Sequence, residues 1–274
     1  MRRFWPCAVV LGLLAVEGVR GAQKFATYPD ITNRTFIGDY INAHNDHRSE
    51  VQPPASNMLY MTFDLALARI ARAWAQKCIV MHNPTDMVHP DPKFRPFGEN
   101  IWAITGFNYP FDPAGPIEDF HDEVKYYTYN THKCTRVCGH YTQVVWANTY
   151  KIGCAIVHCP ASTNSKGTKT KNFSYFVCTY GPPGNYAGVR PYKAGAPCSQ
   201  CPKGDTCQKK LCRNPEREKE NSLRYSRWYP PFESRIICDE SCIAVAILRP
   251  LLMFLAFAAV YYLKLRYPGL GYKA

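Results

Sequence analysis

Thirteen cysteines, distributed along 274 residues, constrain the fold of this chain more than any other feature. Thiols at this frequency are typical of proteins that mature in an oxidising compartment, where they form disulfides. Residues 1–22 fit a secretory signal peptide, since Arg2 and Arg3 precede an apolar run and small residues lead up to Ala22. Cleavage there removes Cys7 and leaves 13 − 1 = 12 cysteines, an even number that can pair completely. We therefore expect a secreted ectodomain held together by disulfides.

The chain is basic, with a formal net charge of +12. Removal of residues 1–22 takes away three arginines and Glu17, so the mature chain carries 30 − 20 = +10. Such an excess would suit a nucleic-acid partner, but secreted proteins do not meet nucleic acid and the basic residues are spread along the chain. We therefore expect no nucleic-acid partner, and we attribute the charge to attraction by anionic lipids or acidic glycans.

The C-terminal part of the sequence predicts a membrane anchor. Ile243–Leu263 is apolar apart from Arg249 and is long enough to cross a bilayer as a helix. Lys264 and Arg266 follow it, so the positive end is expected to stay in the cytoplasm as a tail over residues 264–274. A lipid-anchor signal would normally end on its apolar segment, and this chain continues past it. We therefore expect a single-pass type I protein of the plasma membrane with its large domain outside.

Apolar periodicity predicts both helices and strands. Helical spacing predicts three helices, over Phe36–Arg48, Asp64–Cys78 and Ile117–Tyr127, the last with Phe120, Val124 and Tyr127 turned inward. Asp64 has the side chain of an N-cap residue. Two apolar segments favour strands, Lys151–Cys159 and Ser174–Tyr180. Residues 214–242 are charged and precede the apolar segment, so we interpret them as a juxtamembrane stalk.

The segment Cys138–Trp146 places a cysteine, a histidine and an apolar stripe within nine residues. Gly139 favours entry into a short helix, and Tyr141, Val144 and Val145 then form an apolar stripe that would face a core. His140 stands at the start of this helix. It is either a satisfied residue at the rim of the core or a ligand that points into a cleft.

Four motifs in order give the chain a family resemblance: His44-Asn45 with Arg48, Gly98–Ile101, Cys138–Trp146 and Tyr175–Tyr186. With them the chain resembles the CAP superfamily of cysteine-rich secretory, antigen 5 and pathogenesis-related proteins. Its apolar C-terminal segment makes it most similar to the membrane-anchored glioma pathogenesis-related-like proteins.

The resemblance implies an α/β fold, with a three-layer α-β-α sandwich at residues 23–195, a cysteine-rich hinge module at 196–213 and one transmembrane helix. It places Gly98–Ile101 on a central helix. It places His44 and Asn45 late in an early helix, where we interpret them as structural residues that hydrogen-bond neighbouring loops.

The same resemblance implies a disulfide pattern: Cys78–Cys159, Cys154–Cys178, Cys134–Cys138, Cys198–Cys207 and Cys201–Cys212. For the last four cysteines zinc is an alternative, because C-x2-C spacing also suits that metal. Cys238 and Cys242 remain and are expected to pair with each other. Asn33 and Asn172 begin N-glycosylation acceptor sequences.

The resemblance also implies a central cleft in which His82, Glu99, Glu123 and His140 converge. The two histidines would bind a divalent metal such as zinc, and the two glutamates are candidate catalytic groups or would orient the rings. Two protein ligands make a weak and open site, so a metal-free, ion-paired polar cluster is an equal alternative. The chain departs from the Trp-Tyr-x-Glu pattern of the family, since Phe120-His121-Asp122-Glu123 places an extra imidazole beside the cleft.

Two functions follow as hypotheses. The first is a cell-surface recognition protein whose ligand is a protein, a sterol or a lipid. The alternative is a weak metal-dependent hydrolase or protease that uses the same cleft. The sequence contains neither an H-E-x-x-H nor a G-x-S-x-G motif, which favours the binding hypothesis. Modulation of an ion channel is a weaker third hypothesis, because the hinge module is short.

Overall fold

A computed structural model of the chain describes residues 28–84, 88–106, 110–163, 169–220, 224–231 and 240–267. The chain divides into two compact units, Met1–Pro231 and Phe232–Ala274, and each is described by itself. The predicted signal peptide, Cys7 and Cys238 lie outside the described residues.

The first unit contains five helices and eight strands among its described residues. The helices are α1 (Arg34–Ser49), α2 (Leu65–Ala75), α3 (Ala114–His121), α4 (Gly139–Val144) and α5 (Pro215–Lys219). The strands are β1 (Thr62–Phe63), β2 (Gly98–Thr105), β3 (Tyr127–Thr128), β4 (Lys133–Cys134), β5 (Lys151–Thr163), β6 (Lys169–Gly181), β7 (Thr206–Gln208) and β8 (Leu211–Arg213). Short 3-10 helices cover Pro92–Phe94 and Asp122–Tyr126.

The main sheet has the strand order β1-β5-β6-β2. Strand β1 runs parallel to β5, and the β5–β6 and β6–β2 pairs are antiparallel. Residues of β5 alternate between two cores, because successive side chains of a strand point to opposite faces. Ile152, Cys154 and Ile156 face the core that contains residues of α1, α3 and α4, whereas Ala155 and Cys159 face the core that contains α2. The sheet therefore lies between two helical layers, which confirms the three-layer α-β-α sandwich.

Helix α1 begins at a side-chain cap, since Asn33 Oδ1 accepts a hydrogen bond from the Phe36 amide at 3.0 Å. Its inward face carries Asn45, whose side-chain amide is hydrogen-bonded at both atoms. Asn45 donates to the Met61 carbonyl at 2.9 Å and accepts from the Met61 amide at 2.8 Å. The structural interpretation of Asn45 is confirmed. The predicted glycosylation of Asn33 and Asn172 remains a prediction.

Helix α2 is buried on nearly every side because it lies against the sheet. Asp64 Oδ1 caps it by accepting from the Leu67 amide at 2.9 Å, as the sequence predicts. The helix ends at Ala75, and Cys78 adopts a left-handed conformation with φ 54°. Gly153 of β5 permits the close approach of helix and sheet, since a Cβ atom there would lie 2.0 Å from the backbone nitrogen of Ala68.

One predicted helix is wrong and another is wrong in part. Gly98–Ile101 belongs to strand β2 instead of a helix, because it pairs with β6 in the register Gly98↔Tyr180 to Ile101↔Val177. The predicted helix Ile117–Tyr127 runs as α3 only to His121 and continues as the 3-10 helix. The tighter winding of a 3-10 helix shifts the phase of the side chains, so that Val124 is exposed instead of turned inward.

Five disulfides are present in the first unit: Cys78–Cys159, Cys134–Cys138, Cys154–Cys178, Cys198–Cys207 and Cys201–Cys212. They are the pairs that the family resemblance implies. All four cysteines of the hinge module are therefore in disulfides. The module is attached to the sandwich through its β7–β8 hairpin, because the Cys212 amide donates to Met58 O at 2.8 Å and its carbonyl accepts from the Tyr60 amide at 3.0 Å.

Residues 214–220 and 224–231, here called the C-terminal strap, pack against the sandwich. The buried Lys151 ammonium donates to the Glu218 carbonyl at 2.8 Å. The Arg69 guanidinium of α2 donates to the carbonyls of Tyr225 and Trp228 and lies 3.9 Å from the centre of the Tyr229 ring. The first part of the predicted stalk is thus a packed element, because these buried cations need the acceptors that it supplies.

The second unit contains α6, Glu240–Arg266. Its segment Val245–Arg266 is 22 residues long and apolar enough to cross a membrane. It includes most of the predicted span Ile243–Leu263. The end of the predicted cytoplasmic tail, residues 268–274, lies outside the described residues.

Candidate functional site

His140 is held by Glu123 at the start of α4. Its Nδ1 lies 2.7 Å from Glu123 Oε1, and Glu123 Oε2 accepts from the backbone amides of His140 at 3.0 Å and Tyr141 at 3.3 Å. The carboxylate therefore satisfies two of the free amides of a helix N-terminus and orients the ring at the same time. The Phe120 ring stacks on the imidazole with centroids 5.1 Å apart. The His140 side chain keeps 26% of its surface exposed.

His82 and Glu99 form a second pair. His82 Nδ1 lies 2.9 Å from Glu99 Oε1, which also accepts from the Asn83 amide at 3.0 Å. The His82 ring is 66% exposed and the Glu99 side chain is 6% exposed. The hydrogen bond to Glu99 raises the pKa of His82. The second carboxylate oxygen, Glu99 Oε2, is buried and has no hydrogen-bond partner among the described residues.

Asn100 links the His140 end of α4 to a buried hydrogen-bond chain. It follows Glu99 in β2, where successive side chains point to opposite faces of the sheet, and its Nδ2 donates to the His140 carbonyl at 3.0 Å and to the Tyr180 hydroxyl at 3.2 Å. Tyr180 Oη lies 2.9 Å from His44 Nε2, and His44 Nδ1 lies 2.6 Å from the Tyr40 carbonyl. A carbonyl only accepts, so Nδ1 of His44 carries the proton and Nε2 accepts from Tyr180. A buried chain of hydrogen bonds thus runs from the start of α4 to α1.

The two His–Glu pairs fit a divalent metal in part. Each ring uses Nδ1 for its glutamate, which leaves Nε2 as the atom available to a ligand. Metal-binding histidines usually have this arrangement. The unpartnered Glu99 Oε2 is a further acceptor. The four residues do not, however, bring three ligand atoms within 4.8 Å of one another.

Elsewhere in the described part of the chain, three ligand atoms do lie within 4.8 Å of one another. They belong to His47, Glu118 and His121. His47 Nε2 lies 3.1 Å from Glu118 Oε2, and the two imidazole rings stack with centroids 4.0 Å apart and an interplanar angle of 11°. Burial lowers the pKa of both histidines. Sequence reasoning noted His121 as an extra imidazole but missed His47 and Glu118.

A cavity of about 430 Å³ lies elsewhere on the first unit. Aromatic and basic side chains line it, among them Tyr129, Trp146, Arg190, Tyr192 and Lys193. None of the four predicted site residues lines this cavity, so its shape gives no information on the His–Glu pairs.

Comparison with known proteins agrees with the fold. The model of the cysteine-rich secretory protein family, CAP, matches residues 41–180. The chain belongs to the CAP family. This CAP protein is 42% identical to glioma pathogenesis-related protein 1 of Mus musculus over 245 residues, which cover 89% of this chain and 90% of the relative. It is 41% identical to GLIPR1-like protein 1 of Bos taurus over 226 residues, which cover 80% and 88% of the two chains.

Among solved structures, the CAP protein is similar to NaASP2, which was crystallised with Zn²⁺. The TM-score is 0.52 at 26% identity, over 68% of this chain and 100% of that one. Family membership and the apolar helix α6 fit a secreted protein that associates with a membrane. The names of these relatives describe no catalytic activity.

The buried His44 of this CAP protein predicts a loss of stability in acid. Burial lowers the pKa of His44 from 6.5 to about 3. Between these values the unfolded chain binds a proton that the folded chain does not, so the free energy of unfolding falls as the pH falls, by up to about 1.4 kcal/mol per pH unit. Between about pH 4 and pH 6.5, we expect the free energy of urea unfolding to change less steeply with pH in His44→Gln, because the uptake of up to one proton on unfolding is lost. His158→Gln, at an exposed position, should keep the wild-type slope, and an unchanged slope in His44→Gln would contradict the assignment.

Proposed function

We propose that this CAP protein is a cell-surface recognition protein. Helix α6 anchors it as a single-pass type I protein of the plasma membrane, and the CAP domain lies outside. The cleft of His82, Glu99, Glu123 and His140 holds a divalent metal and contributes to binding of an extracellular protein, sterol or lipid. One observation supports this most: each imidazole is held through Nδ1 by its own carboxylate, at 2.9 Å and 2.7 Å.

The chemistry of these residues favours binding over catalysis. Neutral imidazoles are good ligands for zinc and similar ions, and their carboxylate partners fix the ring orientation and raise the basicity of Nε2. Two protein ligands leave further coordination positions open to groups of a bound molecule or to water. Catalytic zinc sites generally use three protein ligands. The zinc-containing structure of NaASP2 supports metal binding by a protein of this fold.

Metal binding at this cleft can be measured on the full-length chain in detergent by Zn²⁺ calorimetry. We expect His82→Asn/His140→Asn to bind one ion fewer than the wild type. Glu99→Gln and Glu123→Gln should each weaken binding by roughly 10- to 100-fold, because they remove the groups that orient the rings. His158→Asn is the matched control, since it removes an exposed histidine outside the cleft. An unchanged number of ions in the double variant would refute the metal site.

The recognition role has separate readouts. Labelling of intact cells should reach the CAP domain without permeabilisation, and saturable binding of cholesterol or of phospholipid to the full-length protein identifies the sterol or lipid ligand. If neither binds, the sterol and lipid alternatives are excluded. Metal-dependent peptide hydrolysis that is lost in His140→Ala would instead establish the alternative, a hydrolase that uses the same cleft.

A further inference from the structure

We propose that His47, Glu118 and His121 form a second metal site, specific for a divalent transition ion such as Zn²⁺ or Co²⁺. It uses none of the residues of the His82–His140 cleft. Two neighbouring helices supply its ligands, and two of the three ligands are imidazoles, unlike the exposed carboxylate clusters that are common on protein surfaces.

The helices present the three side chains to the same space. His47 lies in the last turn of α1, and Glu118 and His121 lie three residues apart on α3, so that they share one face of that helix. One ligand atom of each residue lies within 4.8 Å of the others. Two ligands of a tetrahedral zinc ion are about 3.3 Å apart, given bonds of about 2.0–2.1 Å. The 3.1 Å between His47 Nε2 and Glu118 Oε2 is already close to this value.

The charges around the group favour a cation. The carboxylates of Glu118, Asp46 and Asp122 favour positive charge at His47, whereas burial, the larger effect on its pKa, acts against it. The Lys125 ammonium lies 3.8 Å from the Asp122 carboxylate and offsets part of this negative charge. The position at the C-terminal end of α1 adds the negative end of the helix dipole.

Binding of one ion requires one ring to turn. The two imidazoles stack with centroids 4.0 Å apart and an interplanar angle of 11°, so their in-plane nitrogen lone pairs run nearly parallel and do not converge as they stand. His121, which contacts the Tyr141 ring with centroids 5.6 Å apart, would turn about its side-chain bonds to direct a nitrogen at an ion held by His47 and Glu118. Two imidazoles and one carboxylate constitute the donor set of many three-ligand zinc sites, in which a fourth position remains open.

The ligand types also define which ions the group would take. Imidazole nitrogen binds zinc, cobalt, nickel and copper well, whereas calcium and magnesium prefer sites built from oxygen alone. A bound ion would join the end of α1 to α3. It would thereby brace one helical layer of the sandwich from outside the core.

The test uses the full-length chain with the cleft histidines removed, His82→Asn/His140→Asn. Titration with Co²⁺, followed by its visible absorption, should show one bound ion in this background, and Zn²⁺ should displace it. Adding His47→Asn or His121→Asn should abolish the signal. Glu118→Gln should weaken binding by roughly tenfold or more, and because the Glu118 side chain is 61% exposed this change should not disturb folding. His158→Asn in the same background should bind as before.

Two results would overturn the site. One is the absence of Co²⁺ binding in the cleft-free background, and the other is binding that survives both His47→Asn and Glu118→Gln. The complementary variant, His47→Asn/His121→Asn with an intact cleft, separates this inference from the proposed function. Each site is then measured in the absence of the other. Melting curves in the presence of a chelator confirm that the variants are folded.

Discussion

Replacing Arg48 with methionine is expected to destabilise the protein by about 5 kcal/mol or more, enough to prevent cooperative folding of an average domain. The Arg48 side chain is buried, with the residue only 1% exposed, and it donates six hydrogen bonds. The acceptors are the backbone carbonyls of Leu59, Val144, Trp146, Ala147 and Thr149. Each carbonyl left buried without a donor costs about 1–3 kcal/mol. Urea unfolding of the full-length chain, together with the secreted yield, measures the effect.

Two further variants make the result specific. Arg48→Lys keeps the charge, but one ammonium cannot reach five carbonyls, so an intermediate loss of stability is expected. Arg34→Met changes an exposed arginine of the same helix and should alter the free energy of unfolding by no more than about 0.5 kcal/mol. A loss below about 1 kcal/mol in Arg48→Met would show that water can replace the guanidinium, and the assignment would be wrong.

Gly153→Ala is expected to cost about 3 kcal/mol or more, although it adds a single methyl group. The new Cβ would lie 2.0 Å from Ala68 N and 2.5 Å from Ala68 Cα. These are backbone atoms of α2, so no change of rotamer relieves the overlap and the helix must move away from the sheet. The shift of the denaturation midpoint gives the magnitude.

Gly38→Ala is the matched control. Gly38 lies in α1 and a Cβ there meets no atom within 4 Å, so alanine should stabilise the helix by about 0.5–1 kcal/mol. Opposite signs for the two substitutions are the expected outcome. Equal effects would mean that the contact between β5 and α2 is looser than the structure has it.

Local patterns in the sequence predicted those elements whose own residues determine them. The apolar face and the Asp64 cap predicted α2, and the stripe of Tyr141, Val144 and Val145 predicted the buried face of α4. The error at Gly98–Ile101 has a physical cause. A short motif without periodicity takes its conformation from a partner distant in sequence, here β6. The residues of the motif do not by themselves determine this pairing.

The candidate site was predictable to a different extent. The four His and Glu residues came from a family resemblance, since their spacing along the chain does not unite them. Which glutamate holds which histidine depends on tertiary packing: Glu123 of the 3-10 helix meets α4, and Glu99 of β2 meets the segment after α2. The hydrogen bond from Asn100 to the His140 carbonyl depends likewise on the contact of β2 with α4. The group of His47, Glu118 and His121 depends on how α1 packs against α3. No local sequence pattern predicts that packing.

The C-terminal strap has a mechanical consequence. Tension applied along the chain at Pro231 would act first on the strap, whose hold on the sandwich rests on hydrogen bonds and ring contacts around Arg69 and Lys151. Peeling can proceed residue by residue until it reaches Cys212, where a covalent bond to Cys201 takes the load. While this bond is intact, the residues between Cys201 and Cys212 cannot lengthen, and the force passes directly to the start of the hinge module.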